Sequence, residues 1–111
     1  MELADTTVLI LARRDERVRE WLRVAASANA ITLCDQTILE YVRGARNARE
    51  FEEYEAALAG YPLARVEPAD WDRARDTFRG LAAVTVGYQQ SVPIADALIA
   101  AVAERVGLPL E

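Results

Sequence analysis

The chain lacks lysine and histidine altogether and holds one cysteine in 111 residues. Without histidine there is no imidazole to ligate a metal or shuttle a proton, and without lysine no amine base, so any chemistry must run on carboxylates. Cys34 has no partner for a disulfide within the chain, which points to a reducing, cytoplasmic setting; placed in Ile31-Thr-Leu-Cys34, it reads as core. Apolar runs are too short to span a membrane. The start, Met1-Glu-Leu-Ala-Asp5, has no basic segment, and Thr7 to Ala12 carries no cleavage site, so no signal peptide is expected. Glycine and proline are sparse and 52% of residues are apolar, which suits a single globular domain with a real core.

All basic residues are arginine, and the net charge is −5. That balance argues against a simple nucleic-acid clamp, although arginine supplies forked phosphate donors wherever it falls near the right site.

Hydrophobic patterning predicts alternating short strands and helices. Glu2 to Leu11 reads as a buried strand turning into a helix at Asp5-Thr-Thr7. Asp15 to Ala28 has the period of an amphipathic helix, with Val18, Trp21, Leu22 and Ala25 on one stripe. Ile31 to Cys34 suits a strand; Asp35 is an expected N-cap for a helix over Thr37 to Arg43, stopping at Gly44. Asn47 and Glu50 resemble a capping pair for a helix that ends at Gly60, and Pro68 opens another. These two helices, with Phe51, Tyr54 and Leu58 on one and Trp71, Ala74, Phe78 and Leu81 on the other, are expected to form a helical hairpin. Between them lies a strand candidate, Leu63 to Val66. Pro93 starts a last helix running to Gly107, and Leu108-Pro-Leu110 opens one more strand. Short strands separated by helices imply parallel pairing, covered on both faces. The expected fold is a three-layer α/β/α domain with a short parallel sheet, and ligands in such folds sit beyond the carboxyl ends of the strands.

Three acids stand alone in apolar surroundings: Asp5 in Leu3 to Leu11, Glu40 in Thr37-Ile-Leu-Glu-Tyr-Val42, and Asp96 in Val92 to Ala103. An ionised acid removed from water costs several kcal/mol unless it is paired or binds a metal. One shared metal site accounts for all three, and with oxygen ligands alone it selects Mg²⁺ or Mn²⁺ over zinc. Each acid also has an ordinary reading. Asp5 suits a helix cap, and Glu40 suits a surface pair with Arg43 or Arg46. Asp96 has no partner within a turn.

The strings Ala4-Asp-Thr-Thr-Val-Leu-Ile10, Thr37-Ile-Leu-Glu-Tyr-Val-Arg-Gly-Ala-Arg46, Val92-Pro-Ile-Ala-Asp-Ala-Leu-Ile-Ala-Ala101 and Gly107-Leu-Pro-Leu110 together resemble the PIN-domain ribonucleases, in particular VapC toxins of toxin-antitoxin pairs. The resemblance implies a single PIN-like domain over residues 1–111 and a metal-dependent endoribonuclease. Its substrate would be structured RNA such as tRNA or rRNA, and a cognate antitoxin would silence it. Asp5, Glu40 and Asp96 match the family's catalytic, metal-binding acids, and Thr7 matches its small polar residue beside the first acid. On that scheme bound Mg²⁺ acidifies a water and steadies the scissile phosphate. Arg13, Arg43 and Arg46 are the candidate RNA contacts, and a homodimer is expected. One departure stands out: family members continue through a further strand and a loop bearing another Asp, a segment missing here, and Glu111 lies too near the strand to replace it. The competing expectation is a catalytically impaired PIN-like protein that dimerises or binds antitoxin through its aromatic stripes. A DNA-directed, flap-cleaving relative is a third.

Overall fold

The computed structural model describes residues 1–110; Glu111, the substitute considered for the missing acid, lies outside them. Strand β1 (Glu2–Leu3) pairs in parallel with β2 (Ile31–Cys34), and β2 with β3 (Leu63–Ala64), giving the order β1-β2-β3. Leu110 adds an isolated parallel bridge to the far side of Leu3, so β1 sits inside the sheet rather than at its edge. The β1 backbone is held on both sides. Glu2 N donates to Ala30 O at 2.6 Å, Ala4 N to Thr32 O at 3.0 Å, and Leu3 N to Pro109 O at 2.9 Å.

Helices fill the connections: α1 (Thr6–Arg14), α2 (Glu16–Ser27), α3 (Asp35–Arg43), α4 (Ala48–Leu58), α5 (Pro68–Val84) and α6 (Ile94–Val106), with a 3-10 turn at Tyr88–Ser91. Alternation along the strands divides the core in two. Ala4, Ile31 and Leu33 face Leu9, Ala12, Leu22, Tyr41 and Leu58 from the first four helices. Leu3 and Cys34 face Ile99, Val102 and Ala103 of α6 on the other side, and α5 joins α6 there through Ala74, Ala97 and Leu98. The result is the three-layer α/β/α arrangement, and no helix among the described residues is long and apolar enough to cross a membrane.

Several boundaries differ from expectation for local reasons. Asp35 is the first residue of α3 rather than its cap, because its carboxylate is taken by Arg65 Nε and by Val66 N at 2.7 Å. Asn47 does cap α4, accepting from Glu50 N at 2.9 Å, but Glu50 turns away to Arg46 and the Tyr54 hydroxyl. The helices in most extensive contact are α1 with α2 and α5 with α6, whereas α4 docks on α3. The pairing expected between α4 and α5 is broken by β3, whose attachment to β2 carries the chain away before α5 begins. Gly87 and Gly107 adopt left-handed φ values of 75° and 71°, the first turning the chain out of α5 and the second ending α6.

The most buried charge is Asp70, 1% exposed. Arg105 of α6 grips it with two bonds of 2.9 and 3.0 Å, and it accepts from Glu67 N to close a capping box at the head of α5. The Arg105 guanidinium therefore holds the Asp70 carboxyl below the usual carboxylate range, with the Glu67 N–H assisting. Replacing Asp70 by Ala leaves Arg105 only Glu67 and the Arg65 carbonyl and opens the capping box of α5, and is expected to cost about 2–4 kcal/mol in urea unfolding at pH 7. A depressed carboxylate contributes stability above its unfolded pKa and loses it as pH falls through the folded one. The deficit of the variant should therefore shrink below about pH 4, and an unchanged deficit there would count against the ion pair as its source.

Candidate active site

Two of the three isolated acids follow strands in the chain, and the third opens α6 after the 3-10 turn. Asp5 follows β1 by two residues and is the N-cap of α1, its Oδ1 accepting from Thr7 N at 3.4 Å. Glu40 is in the second turn of α3, which starts directly after β2. Asp96 is in the first turn of α6. Two of the three thus stand at helix N-termini, where the backbone dipole favours negative charge.

Burial is less severe than the apolar context suggests. Asp5 is half-buried, while Glu40 and Asp96 are exposed. The helices turn these acids outward from their apolar faces: Thr37, Tyr41 and Val42 of α3 and Ala97, Leu98 and Ile99 of α6 take the interior instead. The acids are therefore affordable without a buried counter-ion, and none of them forms an ion pair among the described residues.

They nevertheless share one electrostatic neighbourhood. The protein around Glu40 pushes its carboxyl up; the Thr6 hydroxyl opposes this, the negative charges of Asp5 and Asp96 add to it, and Arg43 offsets part of it. Each of the other two acids is thus close enough to act on Glu40. Among the described residues, however, no three acids approach closely enough to form a ready-made cage for an ion.

The bond that sets Glu40 relative to Asp5 lies underneath. Thr37, wholly buried and one turn before Glu40, donates its hydroxyl to Ala4 O at 3.3 Å, which ties α3 to the end of β1 next to Asp5. Of the two threonines after Asp5, Thr7 is exposed and offers only its backbone N–H; Thr6 is 5% exposed, and its hydroxyl has no hydrogen-bond partner. Neither Thr6 nor Thr37 was singled out from sequence. The signal was the phase of α1, where Thr6, Leu9 and Ala12 recur at spacings of three on the buried side.

The candidate arginines separate clearly. Arg13 lies over both the Tyr41 and Tyr54 rings, 4.2 and 4.4 Å from centroids that are themselves 5.1 Å apart, and donates to the Tyr54 hydroxyl at 2.8 Å. Arg46 is bound to Glu50, and it and the Tyr54 hydroxyl hold that carboxyl down to about 2. Arg43 alone of the three is exposed, free of an ion pair among the described residues, and beside the acids.

Because Glu40 is raised by desolvation first and by the charges of Asp5 and Asp96 next, its ionisation works against the metal-free fold: the stabilising contribution is present below about pH 4 and lost as pH rises through the folded pKa. Glu40→Gln is accordingly expected to melt higher than the parent at pH 7 in chelator, with the two converging near pH 4. A variant that melts lower at pH 7 would mean that the acids do not repel.

Residues 3–110 match the PIN domain family. The chain is 37% identical over 103 residues to Ribonuclease VapC18 of Mycobacterium tuberculosis (strain ATCC 25618 / H37Rv), covering 93% of this chain and 74% of that protein. Among solved structures it resembles a toxin-antitoxin complex from Klebsiella pneumoniae (TM-score 0.75, 20% identity, 99% of this chain and 83% of that one). It also resembles FitAcB from Neisseria gonorrhoeae (TM-score 0.65, 22% identity, 99% and 85%). At these identities the structural likeness speaks for the fold.

Proposed function

Since the chain belongs to the PIN-domain family and is of VapC type, we propose that it is a Mg²⁺- or Mn²⁺-dependent endoribonuclease toxin that cuts structured RNA such as tRNA or rRNA. The observation that carries this reading is the unpaired state of Asp5, Glu40 and Asp96: Glu40 feels both other acids, Arg43 only moderates it, and none of the three forms an ion pair among the described residues. Carboxylates that repel one another at helix N-termini are a poor structural device and a good cation site.

The donor set fits a hard divalent ion. Because the acids do not form a direct cage, Mg²⁺ suits them best, since it keeps several of its own waters and needs only one or two carboxylates. When bound, such an ion supplies an acidified water and neutralises charge on the scissile phosphate. The chain's own residues do the rest. Asp5, Glu40 and Asp96 would hold the ion, directly or through its waters, while Thr7 supports Asp5 through its backbone N–H and Arg43 would meet the phosphate backbone. Arg13 lies on the Tyr41 and Tyr54 rings and Arg46 is paired with Glu50, which makes both less available to RNA than Arg43.

Partners follow from the exposed apolar surface. Val8, Leu11, Val18 and Trp21 line a groove between α1 and α2 rimmed by Asp15 and Arg17, which suits the apolar face of an antitoxin helix. The bare side chains Val84, Val86 and Ile94, 74%, 101% and 67% exposed, are the better candidates for a homodimer contact. A cytoplasmic setting agrees with the lone Cys34, which is buried and whose thiol burial pushes up. A catalytically impaired relative that only binds antitoxin is the second reading, favoured by the lack of a closed three-acid cage.

Cleavage of a tRNA pool in Mg²⁺ or Mn²⁺, abolished by EDTA and reduced at least about 10²-fold in Asp96→Asn, is the expected result. A folded protein that binds neither ion and cuts nothing would favour the non-catalytic reading. For Arg43→Gln, the expected result is weaker RNA binding with the salt slope of log K reduced by about 1. The same substitution at Arg46 should leave the slope unchanged.

A further inference from the structure

Trp21 leaves its indole on the surface of α2, 43% exposed, and Leu11 of α1 is 45% exposed on the same groove. The groove encloses about 470 Å³ and is walled by Val8 and Leu11 from one helix and by Val18 and Trp21 from the other. Within each pair the residues are three apart, so each apolar wall is a single turn, about 4.5 Å of rise. One flat ring matches that length, whereas the anchor row of a docked helix, from i to i+7, runs about 10 Å and past its ends. Charge at the rim fits an anion. Arg14 continues the Val8–Leu11 row by one more turn and Arg17 lines the groove; both are exposed, and neither forms an ion pair among the described residues. Of the acids nearby, Asp15 caps α2 through Arg17 N, and Glu20 is paired with Arg23 at 2.7 Å, which leaves Glu16. The groove is also continuous with the acidic site, because Val8 N donates to Asp5 O at 3.2 Å and one wall therefore starts within a turn of the first acid.

We propose that the groove between α1 and α2 is a base-stacking subsite for the RNA substrate: an unpaired base turned out of structured RNA lies on the Trp21 indole, and Arg14 and Arg17 take the phosphates on either side of it. This rests on the reading of the chain as an RNA-cutting enzyme and adds to it the part that engages unpaired nucleotides. Every base has a π-face, so the subsite selects for an unstacked nucleotide and not for its identity. An antitoxin helix seated in the same groove would exclude the base.

The chain has two tryptophans, so Trp71→Phe leaves Trp21 as the sole indole. In that background, with EDTA present, a single-stranded RNA hexamer should quench the indole emission saturably. Anisotropy of the same hexamer carrying a fluorescein then compares Trp21→Phe, which keeps a ring, with Trp21→Leu, which keeps an apolar side chain without a π-face. Trp21→Phe should bind close to the parent and Trp21→Leu about tenfold more weakly. Arg17→Gln should lower the salt slope of log K by about 0.7. All of these positions are exposed, and melting temperatures near the parent's check that each variant is folded. The proposal is overturned if the hexamer gives no saturable quenching, or if Trp21→Leu binds as well as Trp21→Phe, which leaves the groove to an apolar protein partner. The two readings fail separately. A parent that cuts a tRNA pool in Mg²⁺ but shows no quenching loses the groove and keeps the enzyme, whereas quenching without cleavage upholds the groove and removes the enzyme.

Discussion

A strand only two residues long, Glu2–Leu3, lies inside the sheet, and the geometry of the acidic site depends on it. Leu3 pairs with Thr32 on one side and Leu110 on the other, is wholly buried, and packs into the α6 side of the core. Ala4, the next residue, faces the opposite core and accepts the Thr37 hydroxyl. Asp5 then has nowhere to go but the end of the sheet. In a parallel sheet every strand delivers its carboxyl end to the same edge, so a single chain direction brings Asp5 and the start of α3 together, and α6 closes from the other face. A β1 slip of one residue would exchange Leu3 and Ala4 between the two cores and turn Asp5 inward. Register in this short strand is therefore held by side-chain size as much as by its few backbone bonds.

How far this was legible from sequence depends on how local each determinant is. The strand–helix alternation, the proline at the head of α5, Asn47 as a cap and Gly107 as a stop are all local, and they stand as expected. Misread features had non-local causes. Asp35 looks like a cap because Asp commonly caps, but Arg65 and the Val66 N–H, thirty residues on, claim its carboxylate. The hairpin expected of α4 and α5 failed because two residues of β3 suffice to redirect the chain. Asp70, the most buried charge among the described residues, was not singled out from sequence. Its importance is set by Arg105, thirty-five residues away.

The acids show a subtler misreading. Apolar neighbours in sequence suggested burial, and burial suggested a ligand, yet a helix presents its residues every 100° and an apolar run can still turn one residue to water. Glu40 and Asp96 are such residues. What links the three acids is Glu40, whose carboxyl is raised first by desolvation and then by the charges of Asp5 and Asp96, together with the lack of an ion pair for any of them among the described residues.

The arginines explain how a chain with net charge −5 can meet a polyanion. Most are committed within the fold: Arg13 to two tyrosines, Arg46 to Glu50, Arg65 to Asp35, Arg73 to Glu104, Arg105 to Asp70. Arg43 is the exception next to the acids, and it follows Glu40 by three residues, on the neighbouring turn of the same helix. An arginine so close to an unpaired glutamate would usually pair with it; here it only moderates its charge. Leaving both ends of that potential ion pair open keeps a cation-seeking group and a phosphate-seeking group side by side. Closing the pair would stabilise the surface by only a few tenths of a kcal/mol and would silence both. On the proposed function the acidic balance of the chain is compatible with RNA as a substrate, because the contact would rest on a few uncommitted groups and a bound ion rather than on overall charge.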